Sequence, residues 1–184
     1  MRLALVLTLL ITTSLMASYE TPDYKVISAE GAFEIRDYPE QTVVSAPMPQ
    51  RGADGAFMSL FRFISGTNDR SETISMTTPV LMSGAESGTM SFIVPKAVAA
   101  KGVPSPSNPE LGISTKPAAR FAVLRFSGSS SPRNSKEKAA KLSEWVAAKG
   151  LHPEGTPLFA YYNPPWTPWF MRRNEVLVRI LPQQ

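Results

Sequence analysis

The sequence contains no cysteine among its 184 residues and a single histidine, His152. The missing thiols exclude disulfides, thiolate metal centres, iron–sulfur clusters and cysteine nucleophiles within the chain. One histidine also excludes HExxH zinc motifs and any site that needs two imidazoles from the same chain. We therefore expect neither a catalytic constellation nor a metal site, and the protein is not predicted to be an enzyme.

Charged residues are scarce as well, at 18% of the chain, against about 25% in average soluble domains. The net charge is +4, but no run of four basic residues occurs, and the Walker and G-x-G-x-x-G phosphate-binding motifs are absent. A surface that tracks nucleic-acid phosphates is therefore not expected. An anionic small molecule fits the mildly basic balance better.

The N-terminus carries the pattern of a secretory signal peptide. Arg2 is followed by an uncharged apolar run from Leu3 to Met16, and the small residues Ala17 and Ser18 come next. The run is shorter than the roughly 20 residues that span a bilayer, so no stable membrane span is expected. The pattern predicts a signal peptide over residues 1–17 and a mature protein exported to the periplasm or secreted.

The rest of the chain has the length of one domain, predicted over residues 19–184. Short runs with β-strand character alternate with turn residues. The predicted strands are Tyr24 to Ile27, Ala32 to Tyr38, Thr42 to Met48, Thr73 to Met82, Thr89 to Val94, Gly112 to Thr115, Arg120 to Phe126, Leu158 to Tyr162 and Glu175 to Leu181. One helix is predicted in each half of this series.

The first predicted helix has Asp54 as its N-cap and Gly66 as its stop signal. Apolar residues at i, i+3, i+4 and i+7 are typical of an amphipathic helix with one buried stripe. They are Phe57, Leu60, Phe61 and Ile64.

The second predicted helix runs from Ser135 to Lys149, with Asn134 and Glu137 as its capping pair. Strands, helix and strands occur twice, over residues 19–95 and 112–184, with a proline-rich crossover at 96–111 that is predicted to be a loop. The sequence therefore predicts an α+β fold built from two pseudo-repeated halves.

Five motifs in order give the chain a specific resemblance. They are the opening YETPDYKVISAEGAFEIRDY, the helix pattern F-x-x-L-F-x-F-I-x-G running into TND at Thr67 to Asp69, ISMTTPV at Ile74 to Val80, MSFIVP at Met90 to Pro95 and RRNEV at Arg172 to Val176. From residue 19 to residue 181 the chain resembles the SOUL haem-binding protein family. The resemblance implies a twisted antiparallel β-sheet or distorted barrel with two helices. It also implies non-covalent binding of haem or a related tetrapyrrole in a hydrophobic cleft, without established catalysis.

The resemblance places this cleft between the first helix and the proline-rich loop before RRNEV. It carries over Asp54, Phe57, Phe61 and Arg62 on the helix and Thr167 in the loop. The family tends to have basic residues where Asp54 and Thr167 stand, and methionines where Phe57 and Phe61 stand. Arg62 keeps a basic position that can pair with a propionate.

Reasoning from the residues adds Met58, one turn before Arg62, together with Trp166 and Trp169 in the stiff loop. The aromatic loop either seals one end of the sheet or contacts a ligand or a protein partner. His152 lies in a turn away from the cleft, so haem is expected without a strong axial ligand. Arg172, Arg173 and Glu175 favour an ion-pair brace over a ligand site.

These observations predict an exported carrier or buffer that binds haem or another flat amphipathic anion. Two alternatives stay open at the level of sequence. One is a binding module for a different hydrophobic small molecule, and the other is a protein-interaction domain that uses the tryptophan-rich loop.

Overall fold

The computed structural model describes residues 19–48, 53–84 and 88–181, so the predicted signal peptide lies outside the described residues. Three helices and nine strands are present in the described part of the chain. In chain order they are β1 (Lys25–Glu30), β2 (Phe33–Tyr38), β3 (Gln41–Pro47), α1 (Asp54–Ile64), β4 (Val80–Ser83), β5 (Thr89–Ile93), α2 (Lys96–Lys101), β6 (Gly112–Lys116), β7 (Ala119–Phe126), α3 (Pro132–Ala148), β8 (Pro153–Tyr161) and β9 (Asn174–Ile180).

The described strands form one antiparallel sheet in the order β1-β2-β7-β9-β8-β4-β5-β3-β6. Because β1 and β6 are its two edges, the sheet is open and does not close into a barrel. The predicted α+β class with a twisted antiparallel sheet is confirmed, and the short helix α2 is added to the two predicted helices. The boundaries assigned to the domain and to its halves stay predictions.

The strand order relates the two halves by an exchange of strands. The block β3-β5-β4 of the first half corresponds to β7-β9-β8 of the second, and the blocks meet where β4 pairs with β8. Strand β2 of the first half pairs with β7 of the second half, and β6 of the second half pairs with β3 of the first. Each half therefore completes the sheet of the other.

Helices α1 and α3 lie on the same face of the sheet. Met82 of β4 is directly opposite Phe159 of β8, and directly opposed residues share a face. Met82 packs in the core beneath α1, and Phe159 packs in the core beneath α3. The other face of the sheet is free of these helices.

The buried stripe of α1 differs from the predicted one. It consists of Ala56, Leu60, Phe63 and Ile64, whereas Phe57 is half-buried and Phe61 is exposed. Spacings of i, i+4 and i+7 describe both stripes equally well, so the pattern did not distinguish a helix face rotated by one residue.

Four local predictions also need correction. Asp54 is the first helical residue rather than the cap, because Ala53 occupies that position without a side-chain cap bond. The cap of α3 is Ser131, whose hydroxyl accepts a hydrogen bond from the Asn134 amide. Strand β4 begins at Val80, directly after Pro79, and α2 lies inside the predicted crossover loop.

The helix-free face of the sheet borders a cavity of about 280 Å³. Alternate residues of the strands point into it, as the two-residue period of a β-strand requires. Leu81, Leu158 and Leu177 are among its apolar walls. This sheet-face cavity lies on the opposite side of the sheet from α1 and α3.

Candidate functional site

The exposed side of α1 carries two aromatic rings that stack on each other. The ring centroids of Phe57 and Phe61 are 6.1 Å apart and their planes differ by 11°. Phe57 also meets Phe92 of β5 edge to face, with centroids 5.5 Å apart. The stack is thus fixed to the sheet at one end, while Phe61 remains 44% exposed at the other.

Met58 and Arg62 extend this surface along the helix. Met58 is exposed, and so is Arg62 in the last helical turn. Residues three and four apart are neighbours on a helix surface, so Met58 lies beside both Phe61 and Arg62. We call Phe57, Met58, Phe61 and Arg62 the α1 surface.

Asp54 and Arg62 lie at opposite ends of α1. Both are exposed, and eight residues at 1.5 Å per residue place them about 12 Å apart along the axis. Asp54 is in the first turn and Arg62 in the last, where each charge suits the helix dipole. Helix α1 therefore has an anionic N-terminal end, and the α1 surface lies towards its cationic C-terminal end.

The segment between β8 and β9, residues 163–171, forms a second apolar surface that we call the tryptophan loop. Trp166 is 82% exposed and Trp169 is 63% exposed. Trp169 meets Phe170 edge to face with centroids 5.7 Å apart. Phe170 and Met171 are also mostly exposed, so this loop does not seal the sheet with its large side chains.

Arg172 fixes the shape of the tryptophan loop. Its Nε donates a hydrogen bond to the carbonyl of Thr167 at 2.8 Å, and its Nη2 donates to the carbonyl of Pro165 at 2.6 Å. The Thr167 amide donates to the carbonyl of Pro164 at 3.0 Å. Thr167 thus contributes main-chain bonds that hold the turn together.

The rest of the protein holds the loop from the side of α3. The amide of Gly128, in the turn between β7 and α3, donates to the carbonyl of Trp169 at 3.0 Å. Asn174 of β9 donates to the carbonyl of Gly128 at the same distance. These bonds tie the tryptophan loop to the second half of the molecule.

The structure therefore places the seven predicted site residues in two groups. Within the described residues, the α1 surface is anchored on β3 and β5, and the tryptophan loop is anchored on the β7–α3 turn. Each group is held in its own location, and these contacts do not join the two groups into the single cleft that the resemblance implies. The assignment of the seven residues to a ligand stays a prediction.

A buried polar cluster was predicted only in part from the sequence. Arg36 of β2 and Glu175 of β9 have no exposed side-chain surface, and the Arg36 Nη1 lies 2.8 Å from the Glu175 Oε2. Arg36 also donates from Nε to Glu34 at 2.7 Å and from Nη1 to the Tyr38 hydroxyl at 2.9 Å. Arg173 approaches the other oxygen of Glu175 at 2.8 Å.

The charges of this cluster determine its protonation. Burial alone would raise the pKa of Glu175, but the hydrogen bonds and charges of Arg36 and Arg173 outweigh burial and hold the pKa below its usual value. Burial raises the pKa of Tyr38 to about 12. Burial and the Glu175 charge both raise the pKa of Tyr162, so both phenols stay protonated at neutral pH.

A family model described as SOUL heme-binding protein matches residues 19–179. The chain belongs to the SOUL haem-binding protein family. No curated protein matches this SOUL chain.

Solved structures resemble the SOUL chain in fold. The EcmrR chain of a cryo-EM EcmrR–DNA complex has a TM-score of 0.61 at 14% identity, over 80% of this chain and 56% of that chain. The crystal structure of the EcmrR C-terminal domain has a TM-score of 0.55 at 13% identity, covering 86% of this chain and 98% of that one. A hydrolase from Listeria innocua has a TM-score of 0.57 at 10% identity, covering 84% and 94%. The SOUL chain thus spans about half the length of the EcmrR chain, and at these identities the likeness concerns the fold alone.

The α1 surface has the chemistry that a SOUL ligand would need. A porphyrin offers a flat apolar face and carboxylate groups at one edge, which match the Phe57–Phe61 stack and the Arg62 guanidinium. His152 is an exposed turn residue after α3 and does not belong to the α1 surface. The described residues contain no group of three or more side chains placed to hold a metal ion.

Within the described ranges of this SOUL protein, no helix combines the length and apolar character that crossing a membrane requires. The sequence-based expectation that residues 1–17 are a signal peptide stays a prediction.

Proposed function

We propose that this SOUL protein binds haem, or a related flat amphipathic anion, at the α1 surface with help from the tryptophan loop, as an exported carrier or buffer. The observation that carries the proposal is a partly exposed phenylalanine stack on the same helix as Arg62. A monomeric protein rarely exposes a large apolar patch without a binding role. Family membership supports haem or another tetrapyrrole as the ligand.

Two contributions would supply the binding free energy. Covering about 100 Å² of apolar surface on Phe61 and Met58 is worth about 2.5 kcal/mol. A charge-assisted pair between Arg62 and a propionate adds about 1.5–3 kcal/mol in a partly desolvated position. Asp54, about 12 Å away along the helix, opposes an anion and lowers this sum.

The central experiment titrates the purified protein with hemin, followed by the Soret band, and with a neutral porphyrin. Arg62→Ala should weaken hemin binding about tenfold and leave the neutral porphyrin unchanged. Arg133→Ala is the matched control, because Arg133 is an exposed arginine on α3. Equal effects of Arg62→Ala on both ligands would contradict charge pairing, and an unchanged Soret band in the wild type would contradict haem binding.

Asp54→Lys replaces a charge that repels an anionic ligand with one that attracts it. We expect stronger hemin binding, by less than tenfold because the position is exposed. Asp54 is in the first turn of α1 but is not its cap, so the substitution sacrifices about 0.3–1 kcal/mol of favourable interaction with the helix dipole. His152→Ala should leave the hemin spectrum unchanged, and a lost Soret shift would identify His152 as an iron ligand instead.

Export is part of the same proposal and rests on residues 1–17. The uncharged apolar run from Leu3 to Met16 supports it. Mass spectrometry of the protein recovered from its native cell should find Ser18 as the first residue. Recovery from the cytoplasm with Met1 intact would argue against export.

A second candidate function is protein interaction through the tryptophan loop. Its support is the 82% exposure of Trp166 on a backbone held by Arg172, an arrangement that suits a hot spot at an interface. Trp166→Ser and Trp169→Ser separate the two functions. If these variants lose hemin affinity, the tryptophan loop contributes to ligand binding. If their hemin affinity is unchanged while Arg62→Ala loses affinity, the result favours a protein partner for the loop.

A further inference from the structure

The sheet-face cavity is a second place where a ligand fits, separate from the α1 surface. Its volume is about 280 Å³. Leu81, Leu158 and Leu177 form apolar walls, and the rings of Tyr38 and Phe121 stand at one side, edge to face, with centroids 5.6 Å apart. Aromatic edges and aliphatic walls favour a flat apolar guest.

One polar atom at the cavity lacks a partner. The Nε2 of Gln41, which lines the cavity, is buried and makes no hydrogen bond in the described structure. A buried amide donor without an acceptor is costly, because it has lost water and gained nothing in return. An acceptor oxygen supplied by a bound molecule would remove that cost.

The charge at this end of the cavity has one sign. Lys116 is the direct cross-strand neighbour of Gln41 in the β3–β6 pair, so the ammonium and the amide share a face. The described residues that line the cavity include Lys116 and Arg179 but no carboxylate. Arg179 is paired with Glu154 at 3.1 Å, which leaves Lys116 as the cation nearest to Gln41 in the ladder.

The volume limits the size of the guest. An apolar cavity of about 150 Å³ holds one benzene molecule, so about 280 Å³ corresponds to a body of one or two rings. A four-pyrrole macrocycle is too large to lie wholly inside the same space. From the walls, the unpaired donor, the charge and the volume together, we propose that the sheet-face cavity binds a small aromatic carboxylate whose oxygens meet Gln41 and Lys116.

Calorimetric titration of the purified protein with 2-naphthoate tests the site. Ala119 lines the cavity and is half-buried, whereas its neighbour Ala118 is exposed and does not line it. Ala119→Trp fills the space and should weaken binding at least tenfold, while Ala118→Trp should leave it unchanged. A cooperative thermal unfolding transition in both variants would check that each is folded.

Two further variants separate the acceptor contact from the charge. Gln41→Leu should weaken both 2-naphthoate and neutral 2-naphthamide about threefold to tenfold, because both offer an oxygen acceptor. The same variant should unfold at a temperature no lower than the wild type, since it removes an unpaired buried donor. Lys116→Gln, at an exposed position, should weaken 2-naphthoate alone.

Hemin competition shows whether the two sites are independent. Saturating hemin should leave the affinity for 2-naphthoate unchanged, and Arg62→Ala should not affect it. Absence of 2-naphthoate binding in the wild type, displacement by hemin, or equal affinity in Ala119→Trp and wild type would each overturn the proposal. The proposal does not depend on haem binding, so failure of one leaves the other in place.

Discussion

Arg36 and Glu175 are oppositely charged residues held without any contact with water. Their side chains are fully buried and 2.8 Å apart. A buried ion pair contributes little beyond an apolar pair of equal volume, but removing one partner leaves an uncompensated charge in the interior. The stability of the sheet centre therefore depends on both charges being present together.

Glu175→Gln should lower the free energy of unfolding by about 3–5 kcal/mol at pH 7, because the buried Arg36 then keeps only Glu34 as a counter-charge and Arg173 loses its contact with Glu175. The pKa of Glu175 is held below its usual 4.5, so its stabilisation is complete above about that pH. It is lost as the pH falls through the lower folded-state value. Urea denaturation from pH 7 to pH 3 should show this acid-dependent loss in the wild type and a smaller one in the variant.

Asp37→Asn is the matched control for this experiment. Arg120 lowers the pKa of Asp37 as well, but the pair is exposed to solvent, where an ion pair is worth about 0–1 kcal/mol. A cost for Asp37→Asn equal to that for Glu175→Gln would show that burial is not the deciding factor.

The sequence predicted one part of this cluster and missed the other. The RRNEV motif predicted an ion-pair brace of Arg172, Arg173 and Glu175. The 2.8 Å contact confirms the pairing of Arg173 with Glu175, whereas Arg172 bonds to carbonyls of the tryptophan loop instead. Arg36 was missed because Glu34 and Arg36 alternate with apolar residues, a pattern typical of a strand face in water. Their partner on β9 is 139 residues away from Arg36, and no local pattern indicates such a contact.

At the scale of elements, the tryptophan loop depends on one side chain for its shape. Arg172 donates from two nitrogens to two carbonyls of the loop, a fork that lysine cannot reproduce. Arg172→Lys should therefore speed hydrogen exchange at the Thr167 amide several-fold without a large change in overall stability. Arg179→Lys, at an exposed ion pair, should leave that exchange rate unchanged, and equal rates in wild type and Arg172→Lys would refute the role.

Neighbouring residues of α1 have different roles, since Leu60 packs in the core and Phe61 lies on the proposed binding surface. Leu60 has no exposed surface, so Leu60→Ala should destabilise the protein by about 2–5 kcal/mol. Because Phe61 is 44% exposed, Phe61→Ala should lower the free energy of unfolding much less than Leu60→Ala, but it should weaken hemin binding. Denaturant unfolding and hemin titration of both variants check this, and a reversed order of the two stability losses would contradict the assigned helix face.

Helices and strands were predicted correctly where the neighbouring residues all favour the same structure, and wrongly where they favour different ones. The periodic apolar pattern before Gly66 correctly predicted α1. The three prolines after residue 103 obscured α2, although its alanines favour a helix. The β-like residues from Thr73 to Pro79 predicted a longer β4, yet this segment makes an isolated bridge between Thr77 and Glu20 and then meets Pro79.

At the scale of the whole molecule, the exchange of β2 and β6 makes the halves interdependent. Neither half retains all its pairing partners when alone. Fragments 18–107 and 108–184 should therefore each lack cooperative unfolding, whereas their mixture should recover the circular dichroism and unfolding transition of the intact chain. Cooperative unfolding of either fragment by itself would contradict this interdependence.

The exchanged strands also determine when the sheet can fold during synthesis of the chain. Phe33 of β2 pairs with Leu124, and Gln41 of β3 pairs with Lys116, so the sheet cannot be completed while the chain is still being synthesised through its first half. Pairings this distant in sequence form slowly. A nascent chain that stays incomplete until its last strands emerge is well suited to threading through a translocation channel before it folds, which is what the proposed export would demand of it.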